Sequence, residues 1–145
     1  MSELYSRAVR LLARREHTRA ELARKLAPHG TEEEIEIVLN ELAQSGLQSD
    51  ARFAESYLRS QAGRLGGARL RQSLRQKGVC AELVQTQVEG LPDELARARA
   101  VWQKKFATVP ADMKEWAKQA RFLQGRGFSS EIIRKLLKET GDLDV

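Results

Sequence analysis

A single cysteine, Cys80, is all the thiol chemistry this chain carries. A lone thiol excludes an internal disulfide framework and fits a reducing cytoplasm. Cys80 stands near an expected helix start and is read as a half-buried, inert residue. Histidine is almost as scarce. His17 and His29 cannot close a zinc site with one cysteine. Both are expected at turns or on the surface. No apolar run approaches the ~18–20 residues that a membrane span needs. The opening stretch MSELYSRAVRLLARRE mixes Glu and Arg too early for a secretory signal, so a cytoplasmic protein is expected. Alternating β-branched stretches are missing, which argues against strands. Gly63, Gly66 and Gly67 neither follow a strand nor carry the Gly-Lys-Ser/Thr ending of a phosphate-binding loop. Carboxylates collect at acidic helix starts such as TEEEIE instead of pairing between apolar residues. The expectation is a protein with no catalytic residues, no metal and no cofactor.

What is present is charge, unevenly placed. The 145 residues carry a net charge of +5. Residues 1–46 hold seven Lys/Arg against eight Asp/Glu, residues 47–90 seven against four, and residues 91–145 eleven against eight. Within 52–77 there are seven basic residues and one acid, Glu55. A one-sided basic zone suits a polyanion or an acidic protein surface, and it also suits a plain solvated face.

The chain also repeats itself. LARKLAPHGTEEEI, LRQSLRQKGVCAEL and QARFLQGRGFSSEI share one plan, with Gly30, Gly78 and Gly127 spaced by 48 and 49 residues. Each glycine follows a core-type leucine by four positions: Leu26, Leu74 and Leu123. Glu34-Ile35, Glu82-Leu83 and Glu131-Ile132 follow at four and five positions. Glycine suits the left-handed position that ends a helix, and the glutamate suits the positive first turn of the next. Similarity at this fixed period predicts a repeat array. Helices are predicted near 4–15, 18–27, 32–44, 50–62, 67–77, 80–88, 93–106, 111–124 and 130–139. Thr18 with Glu21 and Thr31 with Glu34 form capping boxes, Ser129 or Ser130 caps the last helix, and Pro110 enters the eighth. The fold class is all-α: three tandem three-helix repeats, 1–46, 47–90 and 91–145, forming an elongated, curved array.

Helical projection sorts the side chains. Phe53 with Tyr57, Leu70 with Leu74, and Leu95 with Trp102 and Phe106 each share a core face, while Phe122 points away from the Trp116–Ala120–Leu123 stripe. Arg71 and Arg75 stack on one flank of their helix and Arg69 on the other. Arg52 and Arg59 share a flank with Glu55 between them, which allows an internal ion pair. Lys114, Lys118 and Arg121 form an acid-free stripe opposite Met113, Trp116 and Ala120. With Arg64, Lys77 and Arg126 these residues make up the candidate partner- and nucleic-acid-binding set: Arg52, Arg59, Arg64, Arg69, Arg71, Arg75, Lys77, Lys114, Lys118, Arg121 and Arg126. Such stripes contact phosphates without reading bases.

The run DARFAESYLRSQAGRLGGARLRQSLRQKG closely resembles the middle repeat of RecX regulatory proteins. Asp50, Arg52, Phe53, Ala54, Gly66, Arg69, Leu74 and Gly78 stand where that motif expects them. The resemblance extends to HTRAELARKL and RFLQGRGFSSEII, so it covers nearly the whole chain. Two positions depart from the pattern. Ser49 replaces a second acid but keeps a helix-cap role, and Ala68 replaces a proline. The resemblance implies a small cytoplasmic, monomeric protein that negatively modulates the RecA recombinase. It would bind the RecA–single-stranded-DNA filament, block its extension or promote its disassembly, and bind single- and double-stranded DNA weakly and without sequence preference.

Two other classes explain part of the pattern. A helix-turn-helix factor would place basic and amide side chains on the last helix of a repeat. Here EEEIEIVLNELA would repel phosphates and AELVQTQVEG carries no positive charge. A helical-repeat adaptor explains the fold and leaves the 52–77 charge imbalance unused.

Overall fold

The computed structural model describes residues 2–141, which form nine α-helices and no strand. They are α1 (Glu3–Arg14), α2 (Arg19–Leu26), α3 (Glu32–Gln44), α4 (Asp50–Gln61), α5 (Gly67–Gln76), α6 (Ala81–Glu89), α7 (Glu94–Lys105), α8 (Met113–Gly125) and α9 (Ser130–Gly141), with a 3-10 turn at Ala27–His29.

The helix starts follow local chemistry. Thr18 and Thr31 each accept from the backbone N–H three residues on, and the carboxylates of Glu21 and Glu34 accept from the threonine N–H in return. The Ser49 hydroxyl accepts from Arg52 N–H at 3.1 Å, and the Ser129 hydroxyl from Ile132 N–H at 3.2 Å. Asp112 caps α8, so that helix begins two residues later than expected from Pro110.

The helix ends follow one local rule with a shifted start. Leu42, Leu74 and Leu123 are each completely buried. Each carbonyl accepts from the N–H five residues on, at Leu47, Val79 and Phe128. The intervening Gly46, Gly78 and Gly127 have φ of +80°, +97° and +95°. This is the glycine-ended helix stop. Gly30, expected to serve as the first of the three, is instead extended at φ −168°, because the Pro28-containing 3-10 turn carries the chain away from α2. The first left-handed stop belongs to Gly46, at the end of α3.

Contacts group the chain into two compact units. The first takes residues through Tyr57 together with Leu74–Gln87, and the second takes Leu58–Ser73 together with residues from Val88 onward. In the first, Leu4, Ala8, Leu22, Leu26, Ile35, Val38, Leu39 and Leu42 bury the apolar faces of α1–α3. The start of α2 is tied to the end of α5: Thr18 Oγ1 donates to the Lys77 carbonyl at 2.6 Å, and a side chain at Gly78 would meet Ala20 Cβ at 2.4 Å. In the second, Ala98, Val101, Trp102, Leu123, Phe128, Ile133, Leu136 and Leu137 close a core between α7, α8 and α9. Gly66 N–H donates to the Arg126 carbonyl at 2.7 Å, and the two backbones approach so closely that a Cβ on Gly66 would lie 2.4 Å from the Gly127 carbonyl.

His17 is not at the surface. It is 1% exposed. Nδ1 lies 3.0 Å from the Arg15 carbonyl and Nε2 3.1 Å from Lys25 Nζ. A carbonyl only accepts and an ammonium only donates, so this pair of contacts requires a neutral ring protonated at Nδ1. Burial, with help from the Arg15 and Lys25 charges, lowers its pKa from 6.5, against the opposing pull of the Arg15 carbonyl and Glu21. The unfolded chain therefore binds a proton first as pH falls below 6.5. The stability held by neutral His17 is full above that value and is lost as pH drops toward the folded pKa. We expect the urea midpoint to fall between pH 7.5 and pH 5.5, by less in His17→Gln. Equal pH sensitivity in both chains would contradict the assignment.

Candidate partner-binding surfaces

The basic residues singled out above separate into two groups. Four have structural partners. Arg52 Nε donates to Glu16 at 2.6 Å and its Nη2 to the Leu47 carbonyl at 3.0 Å, so its ion pair is with Glu16 and not Glu55. Arg69 Nη1 donates to the Gly125 carbonyl at 2.6 Å. Its methylenes lie where a Cβ on Gly127 would stand. Arg126 Nη1 donates to the Arg64 carbonyl at 3.1 Å, and its guanidinium covers the Phe122 ring at 4.8 Å. Lys77 Nζ lies 5.8 Å from the centre of the Tyr57 ring. These cations hold carbonyls, a carboxylate or a ring face.

The others face solvent. Arg59, Arg64 and Arg75 are exposed and their side chains make no hydrogen bond or ion pair among the described residues. Arg71 is exposed too, with its guanidinium and the Glu94 carboxylate both lying over Gly67. Lys114, Lys118 and Arg121 are brought together. They line one side of a groove of about 480 Å³, whose other wall includes Thr108, Val109 and Ala111.

That groove is built by residues whose roles were not readable from the charge pattern. Gln119 is 1% exposed. Its Oε1 accepts from Trp102 Nε1 at 2.8 Å, while its Nε2 donates to the Thr108 carbonyl at 2.9 Å and to Glu115 Oε2 at 3.2 Å. One amide thus fixes α7, α8 and the loop wall. The loop departs from α7 through Ala107, the one non-glycine residue with positive φ among those described, at +56°. A left-handed alanine costs roughly 1 kcal/mol and persists where its surroundings hold it. Asp112 accepts from Glu115 N–H at 2.8 Å. Both groove acids are therefore engaged, while the three cations are free. Met113, expected on the core side of α8, is 77% exposed. It stands in the first turn, outside the lining of the groove. Phe122, expected to point away from the Trp116–Ala120–Leu123 stripe, packs edge-on against Phe106 with centroids 5.4 Å apart, at the margin of the core. Cys80 is exposed, not half-buried.

Truncating Gln119 to alanine leaves a buried indole N–H without an acceptor and frees the loop carbonyl. A loss of about 2 kcal/mol is expected, measured by urea unfolding. A variant as stable as the parent would show that Gln119 does not hold this wall.

The sequence comparisons follow the same three-part organisation. Models of the first, second and third three-helix domains of RecX match residues 5–42, 49–86 and 92–137. The regulatory protein RecX of Leptothrix cholodnii is 48% identical over 137 residues, covering 93% of this chain and 87% of the relative. The chain belongs to the RecX family. Regulatory protein RecX of Chromobacterium violaceum is 46% identical over 97% of this chain and 93% of its own length. The crystal structure of RecX from Lactobacillus salivarius superposes with a TM-score of 0.84, covering 95% of this chain and 94% of that one. At 23% identity, that likeness shows the RecX fold. No helix among the described residues is long and apolar enough to cross a membrane.

Proposed function

We propose that this RecX-family chain is a non-catalytic negative regulator of the RecA recombinase. It binds the RecA–single-stranded-DNA filament and blocks its extension or promotes its disassembly. The observation that carries this reading is the presence of all three RecX three-helix domains, in order, along one chain. Free cations at Arg59, Arg64, Arg75, Lys114, Lys118 and Arg121 support it, since they are available to a polyanionic or acidic partner. In this reading the repeats 1–46, 47–90 and 91–145 each present a face to the filament. The protein acts as a cytoplasmic monomer, with weak, non-specific binding to single- and double-stranded DNA, no catalysis and no cofactor.

A sequence-specific helix-turn-helix reading is less favoured. The exposed face of α3 carries Glu32, Glu33, Glu36 and Glu41, and α6 has no basic residue. Helix α9 does carry exposed Arg134, Lys135 and Lys138, cations outside the candidate set.

The test is RecA ATP hydrolysis on single-stranded DNA. Substoichiometric protein should slow it while hydrolysing nothing itself. Arg71→Gln with Arg75→Glu should weaken inhibition, with helix content unchanged and stability within about ±0.5 kcal/mol. If the two arginines touch DNA phosphates, the log–log salt slope for free DNA should flatten by about 0.7 per lost contact. RecA filaments that hydrolyse ATP unchanged in excess protein would end the proposal.

A further inference from the structure

The first compact unit carries a groove that no lysine or arginine lines. Between the start of α1 and α3, Leu4, Tyr5, Ile37 and Val38 share a cleft of about 420 Å³. Leu4 and Val38 are buried and reach it from the core, and Tyr5 is half-buried. Ile37 is 60% exposed. Single aliphatic side chains are common on protein surfaces. Ile37 differs because it shares its cleft with three other apolar side chains. The charged groups of the same cleft are the carboxylates of Glu3, Glu34 and Glu41. Glu34 accepts from Thr31 N–H, and Glu3 meets Arg10 at 3.3 Å. The Glu41 carboxylate has no hydrogen bond or ion pair among the described residues. Three carboxylates with no cation between them repel a nucleic-acid backbone and an acidic peptide alike. A wholly apolar segment would cover Ile37 and strip water from the rim without replacing it. A segment with an apolar side chain between lysines or arginines meets both demands. Its anchor covers Ile37, while the long cationic side chains lay their methylenes beside Tyr5 and end at the carboxylates.

We infer that the α1–α3 groove is a docking site for a basic protein segment with an apolar anchor, and that it takes no nucleic acid. It uses none of the cations assigned above to the filament, so it stands or falls separately from that reading.

The probe is a synthetic peptide, Lys-Lys-Leu-Lys-Lys, titrated into the isotope-labelled full chain with neither RecA nor DNA present, and followed by amide NMR shifts. Shifts should concentrate at Tyr5, Ile37, Val38 and Glu41. Ile37→Ser should weaken binding about fivefold, the effect of losing one partly buried aliphatic contact. Changing the peptide's leucine to serine should weaken it as much. Glu41→Lys should weaken it about threefold or more at low ionic strength, and the difference should shrink as salt is added. Both positions are exposed, so the fold should survive, and unchanged shifts at Leu22 and Leu42 check that it does. The assignment is overturned if the peptide does not bind. It is also overturned if the serine peptide binds equally well and Glu32, Glu33 and Glu36 shift as strongly, because the face is then a plain acidic surface. Oligo-dT shifting the same amides would overturn the exclusion of nucleic acid. Concentration-dependent shifts at these residues without peptide would give the groove to a second copy and overturn the basic-segment assignment. A chain that binds the peptide as described yet leaves RecA ATP hydrolysis unchanged would lose the regulator reading and keep this one.

Discussion

Gly66→Ala is expected to destabilise the second compact unit by about 3 kcal/mol, the upper range for forcing atoms into a close-packed site. The added Cβ would lie 2.4 Å from the carbonyl carbon and oxygen of Gly127 and 2.5 Å from Phe128 N. All three are backbone atoms, so no rotamer change can relieve the overlap. Separating the two strands of backbone would also break the 2.7 Å bond from Gly66 N–H to the Arg126 carbonyl and disturb the Phe128–Leu123 bond that ends α8. Gly63→Ala is the control, because nothing lies within 4 Å of its Cβ. Urea unfolding of the two variants should differ plainly. Equal midpoints would mean that the Gly66–Gly127 approach is not a tight constraint.

Arg97→Met should cost a similar amount, about 3 kcal/mol, for a different reason. The Arg97 side chain is 9% exposed and behaves as a clamp. Nη1 donates to the carbonyls of Ala62 and Leu65 at 3.1 and 2.7 Å, and Nε to that of Pro92 at 3.2 Å. Burial, joined by the Arg71 charge, lowers its pKa, while Glu94 and Asp93 oppose the shift. Methionine fills the volume but leaves three carbonyls without their donor. Lysine should rescue poorly, since one ammonium cannot reproduce a planar fork. Full stability of Arg97→Lys would show that charge alone, and not the fork geometry, secures the 62–65 turn.

These two sites mark where reading the sequence stops. Features set by neighbours in sequence were readable: the Thr18 and Thr31 boxes, the Ser49 cap and the buried Leu26, Leu74 and Leu123 depend on residues within one helical turn or on periodicity. Features set by distant residues were not. Arg52, Arg69 and Arg126 look like surface charge in a helical projection, yet their partners lie 36, 56 and 62 positions away. A cation whose acceptor is a backbone carbonyl leaves no complementary letter to find. The burial of His17 was hidden for the same reason, because its ring nitrogens meet a backbone carbonyl and a lysine ammonium, a pairing without any sequence signature. Gln119 had one available signal: an uncharged polar residue on the inward side of α8, between Trp116 and Leu123, needs a buried partner. The Gly30 error came from treating equal spacing as equal conformation when Pro28 had already changed the local path.

The make-up of the first compact unit has a consequence for synthesis on the ribosome. That unit draws on residues through Tyr57 and again on Leu74–Gln87. The Thr18–Lys77 bond and the Gly78–Ala20 contact belong to the second of these stretches. A nascent chain that has emerged only through α4 therefore holds the α1–α3 core but lacks the segment that completes the unit. Because domains fold as whole units during translation, resistance to protease should rise in two steps, the first only after Gln87 clears the exit tunnel.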